Sequence, residues 1–355
     1  MRIALDGLVF QTRLTGVGKY YLGIIMDIRE KIPEAEFIFI SNRPLIFLPK
    51  ELNDIEVNIA APIFEKMKFI IWLKLFAWRS LKNLDIDYYF SCNTFIPILN
   101  NHVKTIGIIH DLNFKVVPET MPLTNFLAHK LFMRSDAAKL NFAIANSEAT
   151  SKKAMKFLGA KTDAVINPKI NDIFIKRDEN LVKSYLEGLG ITYPYILSVA
   201  TQEPRKNIDL TIDVFRELKE ILPNKMKLVL VGGKGWKNKV VEEMISLDKE
   251  RIVQLDYVSD LDLAYLYNGA SVFAFPSKYE GFGIPVREAL RSGCKVVAAN
   301  IEELVEVGGH EAVYFDLGDI DSYKNAIVET LTSGDEVSGV FETKGIEELA
   351  EYLKN

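Results

Sequence analysis

Cysteine is nearly missing from this chain. Only Cys92 and Cys294 occur among 355 residues, one in each half, which leaves no disulfide framework and no zinc-ligand spacing. Both sit in apolar or small-residue strings, so buried thiols are expected, and a reducing cytoplasm fits. Long apolar runs are missing too. No stretch reaches about 18 uncharged apolar residues, so no membrane span is expected. The chain opens on a strand-like string, MRIALDGLVF, with no basic-then-apolar leader. An excess of positive charge is also absent. The 43 Lys and Arg against 48 Asp and Glu leave a net charge of −5, which argues against a nucleic-acid binder. Internal repeats and low-complexity tracts do not occur.

What is present is an alternation. Hydrophobic residues make up 48% of the chain and charged residues 26%, an ordinary balance for a globular protein. At this length one core stops growing, so two domains are expected. Short apolar runs bounded by turn residues recur: RIALDGLVF (2–10), EFIFISN (36–42), YYFSC (88–92), KTIGIIHD (104–111), FAIANS (142–147), YILSVA (195–200), KLVLVGG (227–233), RIVQLDYV (251–258), SVFAFPS (271–277) and KVVAAN (295–300). Strands apolar on both faces suit parallel sheets covered on both sides. Between them lie helix-period segments such as GKYYLGIIMDIREKIP (18–33) and NIDLTIDVFRELKEILP (207–223). Together they predict α/β architecture with doubly wound layers. The break falls near 166–192, giving domains over 1–170 and 190–335, and IEELAEYLKN forms a terminal helix within 336–355.

Two phosphate-binding motifs fail on inspection. TGVGKYY (15–21) follows the first strand, but a Walker loop needs Gly at 13 and Ser or Thr at 20, where the chain has Arg13 and Tyr20. A dinucleotide fingerprint needs Gly at 21, where Tyr21 stands. A glycine pair remains, Gly16 and Gly18, at a helix N-terminus. It is either a plain connection or a turn that approaches an anion closely. EPRKNID (203–209) places Arg205 and Lys206 before a helix whose start Asn207 marks. Cations at the positive end of a helix are locally unfavourable, and they make sense where an anion is to be held. IIHDLNF (108–114) ends a strand on His110 and Asp111. Ser259 is a suitable cap for a helix starting at Asp260.

The most informative run is SKYEGFGIPVRE (277–288). Glu280 and Glu288 flank Gly281, Gly283 and Pro285, between an apolar strand and the helix-like PVREALRSG (285–293). Strand, glycine turn and helix start point backbone N–H groups into a cleft, and Pro at the first helical position costs no hydrogen bond.

This run resembles the Glu-x7-Glu signature of retaining glycosyltransferases of the GT-B fold, family 4, also called group 1. The likeness extends from GLVFQTRLTGVGKY to about residue 330, and its C-terminal half is the more specific. It implies two Rossmann-like domains facing across a cleft, with the terminal helix crossing back to the N-terminal domain. It implies sugar transfer from a nucleotide-diphosphate donor to an acceptor hydroxyl, without metal or other cofactor; DEN (178–180) and EEL (302–304) read as surface charge. The same resemblance implies roles. Arg205 and Lys206, helped by Gly16 and Gly18, hold the diphosphate, and His110 faces the donor sugar. Glu280, with the N–H groups of Phe282, Gly283 and Ile284, holds sugar hydroxyls, while Glu288 holds the ribose. Tyr257 and Val258 lie beside the base, and VGGKGW (231–236) makes a turn near the nucleotide. Overall likeness to mannosyltransferases makes GDP-mannose the leading donor, ahead of UDP-sugars. The acceptor is a glycan or a polyprenol-linked oligosaccharide of bacterial surface polysaccharide or O-antigen. INPKINDIF (166–174) departs from the family's Asn-Gly-Val-Asp. EKMKFIIWLKLFAWRSLKN (65–83) mixes Lys66, Lys68, Lys74, Arg79 and Lys82 with Trp72, Phe76 and Trp78. It is either a core helix of the N-terminal domain or a surface-active helix at the inner face of the cytoplasmic membrane. An epimerase-type enzyme and a silent nucleotide-sugar-binding module are the competing functions.

Overall fold

The computed structural model describes residues 1–60, 68–236, 239–341 and 343–355. The chain divides into two compact units. Unit 1 comprises Met1–Lys115, Leu123–Lys169 and Thr343–Asn355; unit 2 comprises Val116–Pro122 and Ile170–Glu342. The division is therefore not contiguous, unlike the simple 1–170 and 190–335 split expected. Residues 171–189 are not a linker. Asp178 caps the helix Glu179–Gly188 by accepting from Asn180 and Leu181 N–H, and that helix buries Val182 and Leu186 in the core of unit 2. The terminal helix, Glu347–Lys354, belongs to unit 1. It buries Leu349, Ala350 and Leu353, and Tyr352 lies against Tyr88 and Phe142. Burying each of the two leucines contributes about 1.5–3 kcal/mol.

Among the described residues, unit 1 has seven strands: β1 (Arg2–Asp6), β2 (Glu36–Ser41), β3 (Glu56–Ile59), β4 (Tyr88–Ser91), β5 (Lys104–Ile109), β6 (Phe142–Ala145) and β7 (Ala164–Val165). Their order is β3-β2-β1-β4-β5-β6-β7. Unit 2 has six: β8 (Tyr195–Val199), β9 (Lys227–Val231), β10 (Ile252–Leu255), β11 (Val272–Phe275), β12 (Val296–Ala299) and β13 (Ala312–Phe315). Their order is β10-β9-β8-β11-β12-β13. Every strand pairing is parallel. Strands with all four residues buried, such as β4, β6, β11 and β12, are what a sheet covered on both faces requires. In each unit the winding reverses once, between β1 and β4 and between β8 and β11. Connections there leave the sheet in opposite directions, which opens a crevice at the carboxyl ends of those strands.

Two expected elements come out shorter. The run 2–10 stops as a strand at Asp6, because Asp6 Oδ1 accepts from Leu8 N–H at 2.8 Å and turns the backbone into a short 3-10 segment, Leu8–Phe10. The segment 65–83 is not one helix. Residues 65–67, Lys66 among them, lie outside the described residues. The rest forms Phe69–Leu75 and Trp78–Leu81, with Phe76 and Ala77 N–H both donating to Trp72 O.

Candidate functional site

The crevice of unit 2 collects the charged residues. After β8 the chain passes through Thr201 and Gln202 into the 3-10 turn Pro204–Lys206 and then the helix Ile208–Glu217. Asn207 joins turn to helix at φ +56°, a left-handed conformation that Asn tolerates better than most residues. Its side chain does not cap the helix, as its position had suggested; Nδ2 instead donates to Pro276 O at 3.3 Å, just past β11. Lys278 N–H donates to Arg205 O at 2.9 Å. Loops from two neighbouring strands are thereby stitched together.

Onto that seam fall two cations and two carboxylates. Arg205 Nη1 donates to Glu280 Oε2 at 2.9 Å and to Tyr279 O at 2.8 Å, and Nη2 donates to Glu203 Oε1 at 2.7 Å. Lys206 Nζ donates to Glu280 Oε1 at 2.5 Å and lies 5.2 Å from the centre of the Phe275 ring. The side chains are 15% or less exposed. Burial pushes the Glu280 carboxyl up, but Lys206 and Arg205 outweigh it and hold the group at about 2. Burial pulls the Lys206 ammonium down, against the opposing attraction of Glu280. At neutral pH the geometry holds both in their charged forms.

Glu280 leads into the glycine turn. Gly283 has φ +103°, and a Cβ there would meet Leu304 Cδ2 at 2.6 Å, so conformation and space both call for glycine. The helix Ile284–Arg291 starts immediately after it, with Val286 and Arg287 N–H donating back to Gly283 O. Phe282 is buried, and Gly281 and Ile284 are half-buried. Glu288 lies on that helix, half-buried, and accepts from Tyr267 OH at 3.3 Å. Burial, with Glu288 next, pushes the Tyr267 phenol well up, so it stays a donor.

The turn after β9 shows why glycine recurs in VGGKGW. A Cβ on Gly232 would lie 2.2 Å from Ala200 O, and one on Gly235 would lie 2.3 Å from Gln202 O. The loop is pressed onto the strand that leads to Arg205, with Trp236 38% exposed at its end. Tyr257, 53% exposed, and half-buried Val258 connect β10 to the helix Asp260–Gly269. Ser259 caps that helix, its Oγ accepting from Asp262 N–H at 3.1 Å.

Unit 1 carries its own polar edge. His110 follows β5 and is half-buried. Its Nε2 donates to Cys92 O at 2.6 Å, since a carbonyl can only accept, which leaves Nδ1 as the acceptor nitrogen. Burial lowers its affinity for a second proton. Asp111 does not hold the imidazole; its Oδ1 accepts from Asn113 N–H at 3.1 Å in a local turn. Asn146 Nδ2 donates to His110 O at 2.8 Å, and Ser147 caps the helix Glu148–Leu158. Gly16 is exposed at the start of the helix Gly16–Lys31. Gly18 is buried, and a Cβ there would meet Leu14 Cδ2 at 2.7 Å, a packing reason for glycine that needs no anion.

The structure thus brings Arg205, Lys206 and Glu280 together, and sets Glu288 on the adjoining helix with Tyr267. Gly16, Gly18 and His110 stand on unit 1. Two features escaped the sequence reading. Glu203 is one; in EPRK a single acid beside two cations reads as ordinary mixed surface charge. The other is Asp6, an acid at the end of an apolar strand. It is fully buried, accepts from Leu8 N–H, and lies 3.4 Å from Cys92 Sγ and 3.5 Å from Ser91 Oγ. Burial raises its pKa to about 6.

Two parallel-sheet α/β units, each with a polar crevice at its winding reversal, are the architecture of the GT-B fold. Solved structures agree on the fold. WaaG, a glycosyltransferase involved in lipopolysaccharide biosynthesis, superposes with a TM-score of 0.71 over 94% of this chain and 91% of that one, at 15% identity. HepE of Anabaena, solved with UDP and glucose, gives a TM-score of 0.68 over 94% and 90%, at 18% identity. The chain carries a glycosyl transferases group 1 domain over residues 176–348, and the protein is a glycosyltransferase. Among its relatives, the O-antigen chain mannosyltransferase B of Escherichia coli is 28% identical over 262 residues, 72% of this chain and 68% of that protein. The serotype-specific mannosyltransferase WbdA of Escherichia coli is 30% identical over 251 residues, 68% of this chain but 29% of that longer protein.

Proposed function

We propose that the protein moves a hexose, with mannose from GDP-mannose as the leading donor, to a hydroxyl of a glycan or polyprenol-linked acceptor, with retention and without a metal. The assembly served is bacterial surface polysaccharide of the O-antigen kind. The observation that carries this reading is the buried grip of Arg205 and Lys206 on Glu280 beside a glycine-led helix start. The mannosyltransferase names of the relatives support the choice of sugar.

In this reading negative charge grows on the diphosphate as the sugar departs. Arg205 and Lys206, whose side chains are 15% or less exposed, stabilise that charge electrostatically, the largest catalytic effect in many enzymes. In this reading the N–H groups of Arg205 and Lys206 take the place that a metal would have at the diphosphate oxygens. Glu280, ionised at every physiological pH, accepts from sugar hydroxyls, and Glu288 accepts from the ribose. His110, neutral and donating through Nε2 to a carbonyl, has Nδ1 left to accept a hydrogen bond from the sugar or acceptor. The exposed Ile71, Leu75 and Trp78, with Arg79 and Lys82 lying 5.7 and 5.4 Å from the Trp78 ring, support contact with an anionic membrane surface. Among the described residues no helix is long and apolar enough to cross one.

Thermal shifts with GDP-, UDP- and ADP-sugars test the donor, and a larger shift with UDP-sugars than with GDP-mannose would overturn the choice of GDP-mannose. Transfer in the presence of EDTA tests metal independence. The anomeric configuration of the product, read by NMR, tests retention. Sedimentation with phosphatidylglycerol vesicles tests the membrane contact. Turnover of donor to an isomeric sugar nucleotide without acceptor would favour an epimerase instead.

A further inference from the structure

We propose that Glu203 is a positioning residue of the donor site, a counter-ion that holds Arg205 while the site is empty and reclaims it when the nucleoside diphosphate leaves. The inference rests on the reading that Arg205 and Lys206 hold the donor's diphosphate.

Glu203 is 8% exposed, and an enclosed carboxylate is costly unless it is paired and hydrogen-bonded. Its partner is Arg205. The guanidinium is shared, Nη2 to Glu203 at 2.7 Å and Nη1 to Glu280 at 2.9 Å, so one planar fork is stretched between carboxylates from two loops. A planar fork held at both ends cannot rotate about its long axis, which fixes the plane in which Arg205 meets an anion. Backbone geometry ties Glu203 to the same device. It precedes the 3-10 turn that carries Arg205 and Lys206, and its carbonyl accepts from Lys206 N–H at 2.9 Å. Glu203 N–H donates to Thr201 O at 2.8 Å.

Charge gives the proposal its sign. Arg205, Lys206, Glu203 and Glu280 sum to zero, so a diphosphate enters a neutral cluster. Removing the Glu203 charge leaves one net positive charge facing the same diphosphate. Affinity for the anion then rises, and release of the product slows. A residue that merely shaped the loop would act in the opposite direction, because losing it would disorder Arg205 and weaken binding.

The test uses the full chain with the substitutions Glu203→Gln and Glu203→Asp, each checked for folding by thermal melting. Calorimetry with GDP, UDP and inorganic pyrophosphate reads affinity. Steady-state and single-turnover transfer read the release step. Glu203→Gln is expected to tighten Kd by about fivefold or more, a modest value for one enclosed charge. Its steady-state kcat falls while its single-turnover rate stays within about twofold of wild type. Glu203→Asp, with a shorter reach to Arg205, shifts Kd the same way but by less, and serves as the test should Glu203→Gln not fold. An unchanged or weaker Kd in a folded variant overturns the role of Glu203 alone. A wild-type protein that binds none of the three probes overturns the diphosphate reading, and the role of Glu203 with it.

Discussion

Replacing Glu280 by Gln removes a charge while keeping the shape, and its cost follows from the structure. The carboxyl group moves from its ordinary 4.5 to about 2 in the folded protein. A drop of about 2.5 units at roughly 1.36 kcal/mol per unit corresponds to about 3 kcal/mol. The sign is that of a depressed carboxylate: the stabilisation is present above about pH 4.5 and is lost as pH falls through about 2. At pH 7.5 the variant forfeits all of it and leaves Lys206 enclosed without its 2.5 Å partner. A loss of about 3 kcal/mol also matches the usual cost of breaking a buried pair. Urea unfolding of wild type, Glu280→Gln, Lys206→Met and the double variant, followed by circular dichroism, closes a double-mutant cycle. A coupling of about 1.5–3 kcal/mol is expected for groups in contact. A loss below about 1 kcal/mol in Glu280→Gln, or additive single effects, would refute the argument that the ion pairs govern this carboxyl group.

Three further outcomes follow from other residues. Glu288→Ala is expected to weaken GDP binding about tenfold or more through lost charge-assisted hydrogen bonds; unchanged affinity by calorimetry would remove the ribose role. Asp6, raised from 3.8 to about 6 by burial, binds its proton more tightly in the folded chain. Stability is therefore gained as pH falls from about 6 to about 4, by roughly 3 kcal/mol in total, and Asp6→Asn should flatten that slope; parallel urea midpoints for the two proteins across this range would count against it. Gly283→Ala places a Cβ 2.6 Å from Leu304 at φ +103°, so thermal melting should show a loss of about 1–3 kcal/mol; an unaltered melting temperature would mean that the turn relaxes freely.

Local features were legible before any fold was known. The Ser259 cap was visible because an N-cap depends on a few neighbouring residues. The run 2–10 reads as one long strand because an Asp6 side chain bonding Leu8 N–H looks, in sequence, like one more residue of an apolar run. The aromatic and basic residues of 65–83 keep a helical spacing, which by itself predicts one helix. That the turn breaks at Phe76 and Ala77 is decided by backbone bonds to Trp72. The helix Glu179–Gly188 falls outside the domain bounds that local pattern predicts, because its apolar stripe, Val182 and Leu186, finds its partners far away in sequence.

By itself, the sequence determined the alternation of buried strands and helices, the need for more than one core, and a glycine turn between two glutamates. These depend on residue type and short spacing, which sterics and hydrophobic burial read locally. Only the tertiary structure decided which strands became neighbours. The winding reversals between β1 and β4 and between β8 and β11 follow from strand order, which no local pattern records. The pairing of Glu280 with Arg205, 75 positions away, and of Asp6 with Cys92, 86 positions away, exists only because those reversals bring the strand ends together. Burial there raises both carboxyls; at Glu280 the enclosed Lys206 and Arg205 outweigh it and keep the group ionised, while at Asp6 burial prevails and makes the group reluctant to ionise, and both balances are properties of the assembled crevice.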